Sequence, residues 1–358
     1  MGKLLPEKLP LFVALSQMHF LTFHEKDVLS EKIESLQELC GFSFGQFEMA
    51  VGRPVKKGRS KVDYKADWNT ARIAKDVESI LYLLRAFQIK CIPASLYPSA
   101  LKNIYDPPFM LYVRGDETFL TADSDETKST TPPQAAGYVV SPEELHSGAH
   151  TLIPPQGAGY APLRHESSGH CVAVVGTRHP SMNALKAARS FSHDAANDGI
   201  TVVSGLAYGI DAAAHSGAYE AENGATIAVL ATGCDTVSPA ANRALARAVV
   251  ERKRGCLVSE YPPGTAAAKW RFVQRNRIIA GLSAATLVVE APEGSGALLT
   301  ADYALDMDRE LFIHACAKER SMQLNESEAS RTILSYIRDG AKVIDSYQAY
   351  KDFLTWQN

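Results

Sequence analysis

The stretch CVAVVGTR, residues 171–178, decides the fold of this 358-residue chain. Five apolar residues run without interruption into a glycine, a hydroxyl residue and an arginine, and a helical pattern follows over residues 181–198. An apolar run closed by a glycine turn is typical of a parallel strand whose two faces are both covered. The stretch therefore predicts the first strand of an α/β sheet.

The same alternation of strand and helix continues to about residue 314. Helical patterns over 209–222, 239–253, 270–283 and 297–307 separate the apolar runs TVVSG, TIAVLATG, CLVSE, TLVVEA and LFIHA. Strands and helices that alternate at this spacing form a doubly wound parallel sheet. The predicted fold class is therefore α/β.

Composition changes along the chain predict its division into segments. Residues 1–88 show apolar residues at helical spacing, and residues 117–169 contain six prolines with little periodicity. We predict five segments: a helical domain over 1–88, lead-in strands over 89–116, a flexible insertion over 117–169, the main sheet domain over 170–346 and a tail over 347–358.

Charge and composition exclude several functional classes. The net charge of −3 argues against a protein that coats nucleic acid with its whole surface, so any polyanion must meet a local patch. No apolar run approaches the ~18–20 residues that span a bilayer, and we expect neither a signal peptide nor membrane binding. Six scattered cysteines predict a reducing, cytoplasmic setting, with no metal site and no cofactor.

Ligands of such sheets bind where the carboxyl ends of the strands meet loops. Gly176, Thr177 and Arg178 form one such loop, in which the glycine allows close approach and the arginine can hold a phosphate. We expect free amide groups at the start of the following helix to favour an anion as well. A tight turn with a solvated arginine is the alternative. Further candidates follow other strands: Ser204 and Gly205, and a second anion cradle of Gly294, Ser295 and Gly296.

The segment KWRFVQRNR, residues 269–277, joins basic and aromatic residues without any acid. This pattern suits single-stranded nucleic acid, because cations follow the backbone while rings stack bases. We expect Arg275 and Arg277, on either side of Asn276, to contact phosphate. Phe272 is expected to fill the core, and Lys269 and Arg271 extend the basic face.

Asp211 and His215 lie four residues apart, on one face of a predicted helix. An acid–base pair is geometrically possible there. We favour the structural interpretation, in which Asp211 completes the first helical turn and His215 is buried and satisfied.

Taken in order, the motifs VAVVGTR, VVSGLAYGIDAAAH, TIAVLATGCD, LVSEYPPG, RNRIIAGLS, LVVEA and SGALLTA resemble the DNA processing protein A (DprA/Smf) family. The resemblance covers residues 89–116 and 171–346. It implies an extended Rossmann-like domain that binds and protects single-stranded DNA, without a known enzymatic reaction.

The resemblance also implies partners and site residues. Family members load a RecA-type recombinase, notably during natural transformation, and usually form dimers through the Rossmann-like domain. Their DNA pocket corresponds to Gly176, Thr177 and Arg178, with Arg275 and Arg277 carried over as well. A basic residue that the family has after its third strand is replaced here, and Arg243 is the candidate that compensates.

A nucleotide-binding or nucleotide N-glycoside-cleaving enzyme is the alternative function. Phosphoribohydrolases of a related fold carry a P-G-G-x-G-T-x-x-E motif, and residues 293–300 here read EGSGALLT without the downstream glutamate. Glu290 is the remaining carboxylate that could serve such a reaction.

Overall fold

Nine strands form a single mixed sheet in this computed structural model, in the order β1-β2-β6-β5-β4-β3-β7-β8-β9. The structure describes residues 7–55, 64, 68–120, 171–222, 224–251, 255–325 and 332–356. The strands are β1 Lys90–Pro93, β2 Met110–Gly115, β3 Cys171–Val175, β4 Thr201–Ser204, β5 Thr226–Val229, β6 Gly255–Ser259, β7 Ala285–Val288, β8 Glu310–His314 and β9 Lys342–Ile344.

Across the sheet, the seven strands β6-β5-β4-β3-β7-β8-β9 each run parallel to their neighbours, which confirms the predicted doubly wound sheet. The strand order runs outward from β3 through β4, β5 and β6, and then restarts on the other side of β3 with β7. The gap between the carboxyl ends of β3 and β7 is thus the topological switch point, where such sheets bind ligands.

Strands β1 and β2 were predicted as lead-in strands, and they extend this same sheet. They pair antiparallel with each other, and β2 pairs antiparallel with β6, with Tyr112 opposite Ser259. The pairing of β2 with β6 could not be read from the sequence, because about 140 residues separate the two strands.

Fifteen helices are found among the described residues. They are α1 Leu9–Ser16, α2 Phe23–Lys32, α3 Leu36–Gly41, α4 Phe44–Val51, α5 Thr70–Ala86, α6 Ser99–Lys102, α7 Met182–Asn197, α8 Ile210–Glu220, α9 Arg243–Glu251, α10 Lys269–Gln274, α11 Asn276–Leu282, α12 Gly296–Asp306, α13 Ala315–Gln323, α14 Ile333–Arg338 and α15 Tyr347–Trp356. The predicted single helix over 270–283 is two short helices, which meet at Arg275.

Helices cover both faces of the sheet. One face packs against α6, α11, α12 and α14 through residues such as Leu101, Ile278, Leu298 and Ile333. The other face packs against α7, α8 and α15 near β3 and β4, and against α9 and the N-terminal helices near β2, β5 and β6. The near-continuous apolar runs of the strands follow from this double coverage.

The N-terminal helices share their core with the sheet. Leu11, Leu29 and Phe47 belong to the same buried cluster as Met110 and Leu257 of the strands. The Ser16 hydroxyl lies 2.8 Å from the Tyr112 hydroxyl, so a buried polar contact also joins α1 to β2. Residues 1–122 and 169–358 accordingly form one compact unit.

The predicted insertion over 117–169 lies almost wholly outside the described residues. A second unit comprises residues 123–168, none of which the structure describes. The first four residues of the predicted insertion form a 3-10 turn, Glu117–Leu120, in which Leu120 is buried.

The tail over 347–358 contains α15, which packs Tyr347 and Tyr350 against Phe191 of α7. Within the described ranges, no helix has the length and apolar character needed to cross a membrane.

Candidate nucleic-acid interface

The loop after β3 is held in place from two sides at the switch point. A Cβ atom on Gly176 would lie 2.5 Å from Ile210 Cγ1 and 2.8 Å from the Glu290 carbonyl oxygen, so only glycine fits. The Thr177 amide donates to that carbonyl at 2.6 Å, and the Thr177 carbonyl accepts from the Ile210 amide at 3.2 Å. These contacts bury Thr177 and turn Arg178 towards solvent.

Arg178 lies over the ring of Phe272, with 5.2 Å from its guanidinium carbon to the ring centroid. This contact brings the loop after β3 next to α10. Arg178 is exposed, and in the described part of the chain its guanidinium makes no hydrogen bond or ion pair. A cation that is positioned by a ring but not neutralised is free to meet a phosphate.

The start of α7 does not offer the open anion site that the sequence suggested. The Glu290 carboxylate accepts from the Ser181 hydroxyl at 2.6 Å and from the Ser181 amide at 3.3 Å. The Ser181 hydroxyl in turn caps the helix by accepting from the Ala184 amide at 3.2 Å. The expectation of free amide groups here is wrong, because a buried carboxylate of the protein already occupies the helix start.

Arg275 is buried, and this contradicts the expectation that it contacts phosphate. Its Nη1 donates to the carbonyls of Gly205, at 2.6 Å, and Val229, and its Nη2 lies 3.9 Å from Asp211 Oδ2. Burial lowers the pKa of this guanidinium to about 10. Arg275 therefore ties the end of β5 to the loop after β4.

Ser204, Gly205 and Asn276 are likewise internal, so the sequence-based expectation that they form part of a DNA-contacting surface is contradicted. The Ser204 hydroxyl donates to the Val174 carbonyl at 2.7 Å. The Asn276 amide links Arg275 Nε, at 2.9 Å, to the Gly296 carbonyl, at 3.2 Å. A Cβ atom on Gly205 would overlap the Arg275 guanidinium, so glycine is required there by the buried arginine.

Asp211 and His215 hold the same loop, which agrees with the structural interpretation. Asp211 accepts from the amides of Gly205 and Ala207 at 3.2 and 3.3 Å. His215 Nε2 accepts from the Leu206 amide at 3.3 Å, and its Nδ1 lies 2.7 Å from the Thr226 hydroxyl. Burial and the nearby Arg275 lower the pKa of His215 to about 3, so the imidazole is neutral.

Arg277 is also buried and paired, which contradicts its expected contact with phosphate. Its two terminal nitrogens donate to the two carboxylate oxygens of Glu260 at 2.8 and 2.7 Å, and its Nε donates to the Asp106 carbonyl at 2.9 Å. Glu260 follows β6 and Asp106 precedes β2, so this arginine joins three segments. Neither acidic partner was anticipated from the sequence.

The exposed part of the basic segment lies on α10. Lys269 is exposed and Phe272 is half-buried, and the two lie three residues apart on one side of the helix. Arg271 stacks between the rings of Tyr261 and Trp270, at 5.1 and 4.9 Å, and donates to the Ala266 carbonyl. Phe272 was expected to fill the core, and it is instead the platform on which Arg178 rests.

Two other predicted groups lie at exposed helix starts. Gly294 has a left-handed φ of 75°, and Ser295 caps α12 by accepting from the Ala297 amide at 3.3 Å. Gly296 is exposed and is joined to Asn276 by its carbonyl. Arg243 is exposed at the start of α9, next to Asn242, whose side chain donates to the Leu206 carbonyl at 2.9 Å.

The structure therefore divides eight of the predicted site residues into two groups. Arg178, Phe272 and Lys269 form one exposed surface, which we call the rim. Ser204, Gly205, Arg275, Asn276 and Arg277 form a buried scaffold beneath it. Among the described residues there is no group of His, Cys, Asp or Glu that could hold a metal ion.

A doubly wound sheet whose switch point presents a G-T-R loop beside a basic, aromatic helix defines a Rossmann-like protein with an exposed cation at that edge. The chain belongs to the DNA recombination-mediator protein A family, whose model matches residues 158–355, more than half of the chain.

Individual relatives agree with this assignment. The protein Smf of Synechocystis is 44% identical over 181 residues, which cover 50% of this chain and 43% of the relative. The matched stretch spans about half the length of such curated relatives. DNA processing protein A from Streptococcus pneumoniae superposes with a TM-score of 0.52 at 25% identity, covering 92% of this chain and 96% of that one.

A second solved structure shares the fold. DNA processing protein A from Helicobacter pylori, which was solved to study its mode of single-stranded DNA binding, superposes with a TM-score of 0.54 at 22% identity. The alignment covers 76% of this chain and 97% of that one.

Proposed function

We propose that this protein binds single-stranded DNA at the rim. The observation that carries the proposal is Arg178, which is exposed, unneutralised within the described residues and positioned on the Phe272 ring. A cation beside a half-exposed ring can hold a phosphate while the ring stacks a base, a contact worth roughly 1–3 kcal/mol per base. Family membership and the subject of the Helicobacter pylori structure support the same function.

The wider role is that of a recombination mediator. We propose that the bound strand is protected and handed to a RecA-type recombinase during transformation or recombination, and that a homodimer formed through the Rossmann-like domain does this. A cytoplasmic setting is supported by the six cysteines, all of which are free. Light scattering tests the dimer, and a mobility shift with the recombinase present tests the transfer.

We propose a binding protein rather than an enzyme. N-glycoside cleavage would need a carboxylate at the nucleotide, and Glu290, the remaining candidate, is buried and accepts hydrogen bonds from Ser181. Incubation with nucleoside monophosphates, followed by analysis for free base, tests this: release of base would favour the enzyme.

The test of the rim is the binding of a labelled oligonucleotide by Arg178→Ala. We expect affinity to fall about tenfold, because a charge-assisted contact to phosphate is lost. The slope of log affinity against log salt should flatten by about 0.7, the value for one phosphate on a single strand.

Arg247→Ala is the matched control. Arg247 is an exposed arginine whose Nε lies 4.0 Å from Glu251, one turn further along α9. Its loss should leave both affinity and salt slope unchanged. Wild-type protein that binds no oligonucleotide at low salt would overturn the proposal.

A further inference from the structure

A cavity of about 310 Å³ lies between the N-terminal helices and the carboxyl edge of the sheet. Its walls include Lys26 of α2, Phe109 of the segment before β2, Glu260 after β6, and Trp270 and Gln274 of α10. A cavity of this size lies at the lower end of the range for small-molecule sites, about 300–1,000 Å³. The cavity is separate from the rim, whose residues Arg178 and Phe272 are not among its walls.

Lys26 is the unusual group in this cavity. Its side chain is only 9% exposed, yet within the described ranges its ammonium makes no hydrogen bond and no ion pair. Its contact is with the ring of Phe109, whose centroid lies 5.9 Å away. Lys26 lines the cavity and its Nζ keeps some contact with solvent there, so an anion in the cavity can supply the partner that the protein does not.

The other charged side chains around the cavity form ion pairs with each other. Arg277 pairs with Glu260 and with Asp106, so these three groups leave Lys26 as the charge without a direct partner. The two carboxylates attract Lys26 from a distance, but burial outweighs them and lowers the pKa of Lys26 to about 8. The lysine is therefore still largely charged at pH 7.

The geometry of α10 connects the cavity to the rim. Trp270 and Phe272 are two residues apart, about 200° around a helix, so they lie on opposite faces of α10. Trp270 lines the cavity and is 52% exposed, while Phe272 carries Arg178 on the rim. The helix thus lies between the Arg178–Phe272 pair of the rim and the cavity that Trp270 and Lys26 both line. A strand that crosses its ~10–12 Å width would meet both sides.

We infer that this cavity binds a nucleoside monophosphate unit, with the phosphate on Lys26 and the base against Trp270. The unit is either part of a DNA strand that crosses α10 or a free nucleotide. The first source rests on the proposed function, and the second source is independent of it. The two sources share one chemistry and are separated by experiment.

The first arm compares thymidine oligonucleotides of increasing length on Lys26→Met, with Lys32→Met as the control. Lys32 is an exposed lysine of the same helix and does not line the cavity. We expect Lys26→Met to weaken binding five- to tenfold only for oligonucleotides long enough to cross α10, and to flatten the salt slope by about 0.7. Arg178→Ala should weaken binding at every length.

The second arm titrates the protein with thymidine monophosphate and follows tryptophan fluorescence. Saturable quenching that is lost in Lys26→Met and in Trp270→Phe, but kept in Lys32→Met, is the result expected for a free nucleotide. Methionine is apolar and similar in length to lysine, so we expect the melting temperature of Lys26→Met to be at least that of wild type. An unchanged melting temperature would show that a loss of binding is not caused by a loss of folding.

The outcomes separate the cavity from the rim. If Lys26→Met matches Lys32→Met at every oligonucleotide length and in the nucleotide titration, the inference is overturned while the rim proposal stands. If wild type binds no oligonucleotide, the rim proposal fails and the nucleotide titration alone decides the cavity.

Discussion

Arg275 is a residue whose charge serves the scaffold rather than the surface. It is 4% exposed and donates to two main-chain carbonyls, beside the buried Asp211. An arginine suits this position because its planar fork makes several directed hydrogen bonds at once. The loop after β4, which belongs to the buried scaffold, therefore depends on a buried cation.

Gly205→Ala tests this arrangement. The added methyl group overlaps the Arg275 guanidinium, so we expect the free energy of unfolding to fall by about 3 kcal/mol through overpacking and loss of the buried pair. Urea unfolding measures it. Gly296→Ala is the control, because a Cβ there meets nothing within 4 Å, and its effect should stay under about 1 kcal/mol. Equal effects of the two substitutions would contradict the role of Arg275.

The sequence predicts the type of these residues but not their surroundings. The segment 269–277 is visibly basic and aromatic, yet whether an arginine is solvated depends on carbonyls of Gly205 and Val229, far away in the chain. The apolar run IIAGL, residues 278–282, follows the arginines directly and was the available signal in the sequence that this helix start lies inside the protein. The structure buries all five of its residues. Lys26 offered no signal, because its cavity is built by four separate segments of the chain.

At the scale of elements, strands were more predictable than helix ends. Each parallel strand is an apolar run because helices cover both faces, so its position can be read without its neighbours. The helix over 270–283 was predicted as one element, although Arg275 divides it into α10 and α11. Local sequence does not show on which side of an earlier strand the next strand is added. The switch point between β3 and β7 could therefore be located only from the strand order of the structure.

The contact between α8 and the loop after β4 makes stability depend on pH through His215. The folded protein keeps this imidazole neutral, with a pKa of about 3, whereas the unfolded chain gains a proton below about pH 6.5. Stability is therefore fully present above pH 6.5 and falls as pH decreases towards 3. At pH 5 the titration of His215 lowers the free energy of unfolding by about 2 kcal/mol.

The measurement is urea unfolding of wild type and His215→Gln between pH 5 and 7. We expect the variant to be less stable at pH 7 and to show a flatter dependence on pH, because one titrating group is removed. His193→Gln, at a partly exposed position of α7, should keep the wild-type slope. A slope that is unchanged in His215→Gln would contradict the assignment.

At the scale of the whole molecule, the helical region and the sheet share one buried cluster. The sequence indicates a helical segment over 1–88, but it does not show that this segment covers one face of β2, β5 and β6. We expect the two parts to unfold together, since small units with a common core lose it cooperatively.

Leu29→Ala tests this cooperativity from the helical side. Leu29 is fully buried in α2, and its truncation should lower the free energy of unfolding by about 3 kcal/mol. Leu311→Ala, in β8, should shift the same single transition. Fluorescence and far-ultraviolet circular dichroism should give coincident curves for both variants. Two separate transitions, with only one of them moved by Leu29→Ala, would show independent domains.

The antiparallel pairing of β2 with β6 has a consequence for synthesis on the ribosome. Gly115 pairs with Cys256, so one edge of β2 finds its partner only after about 140 further residues have emerged. At about 5–20 residues per second, this leaves an apolar strand without its neighbour for roughly 7–30 seconds. The nascent chain thus spends that interval with an apolar strand edge unpaired, which exposes its first third to aggregation before β6 has been made.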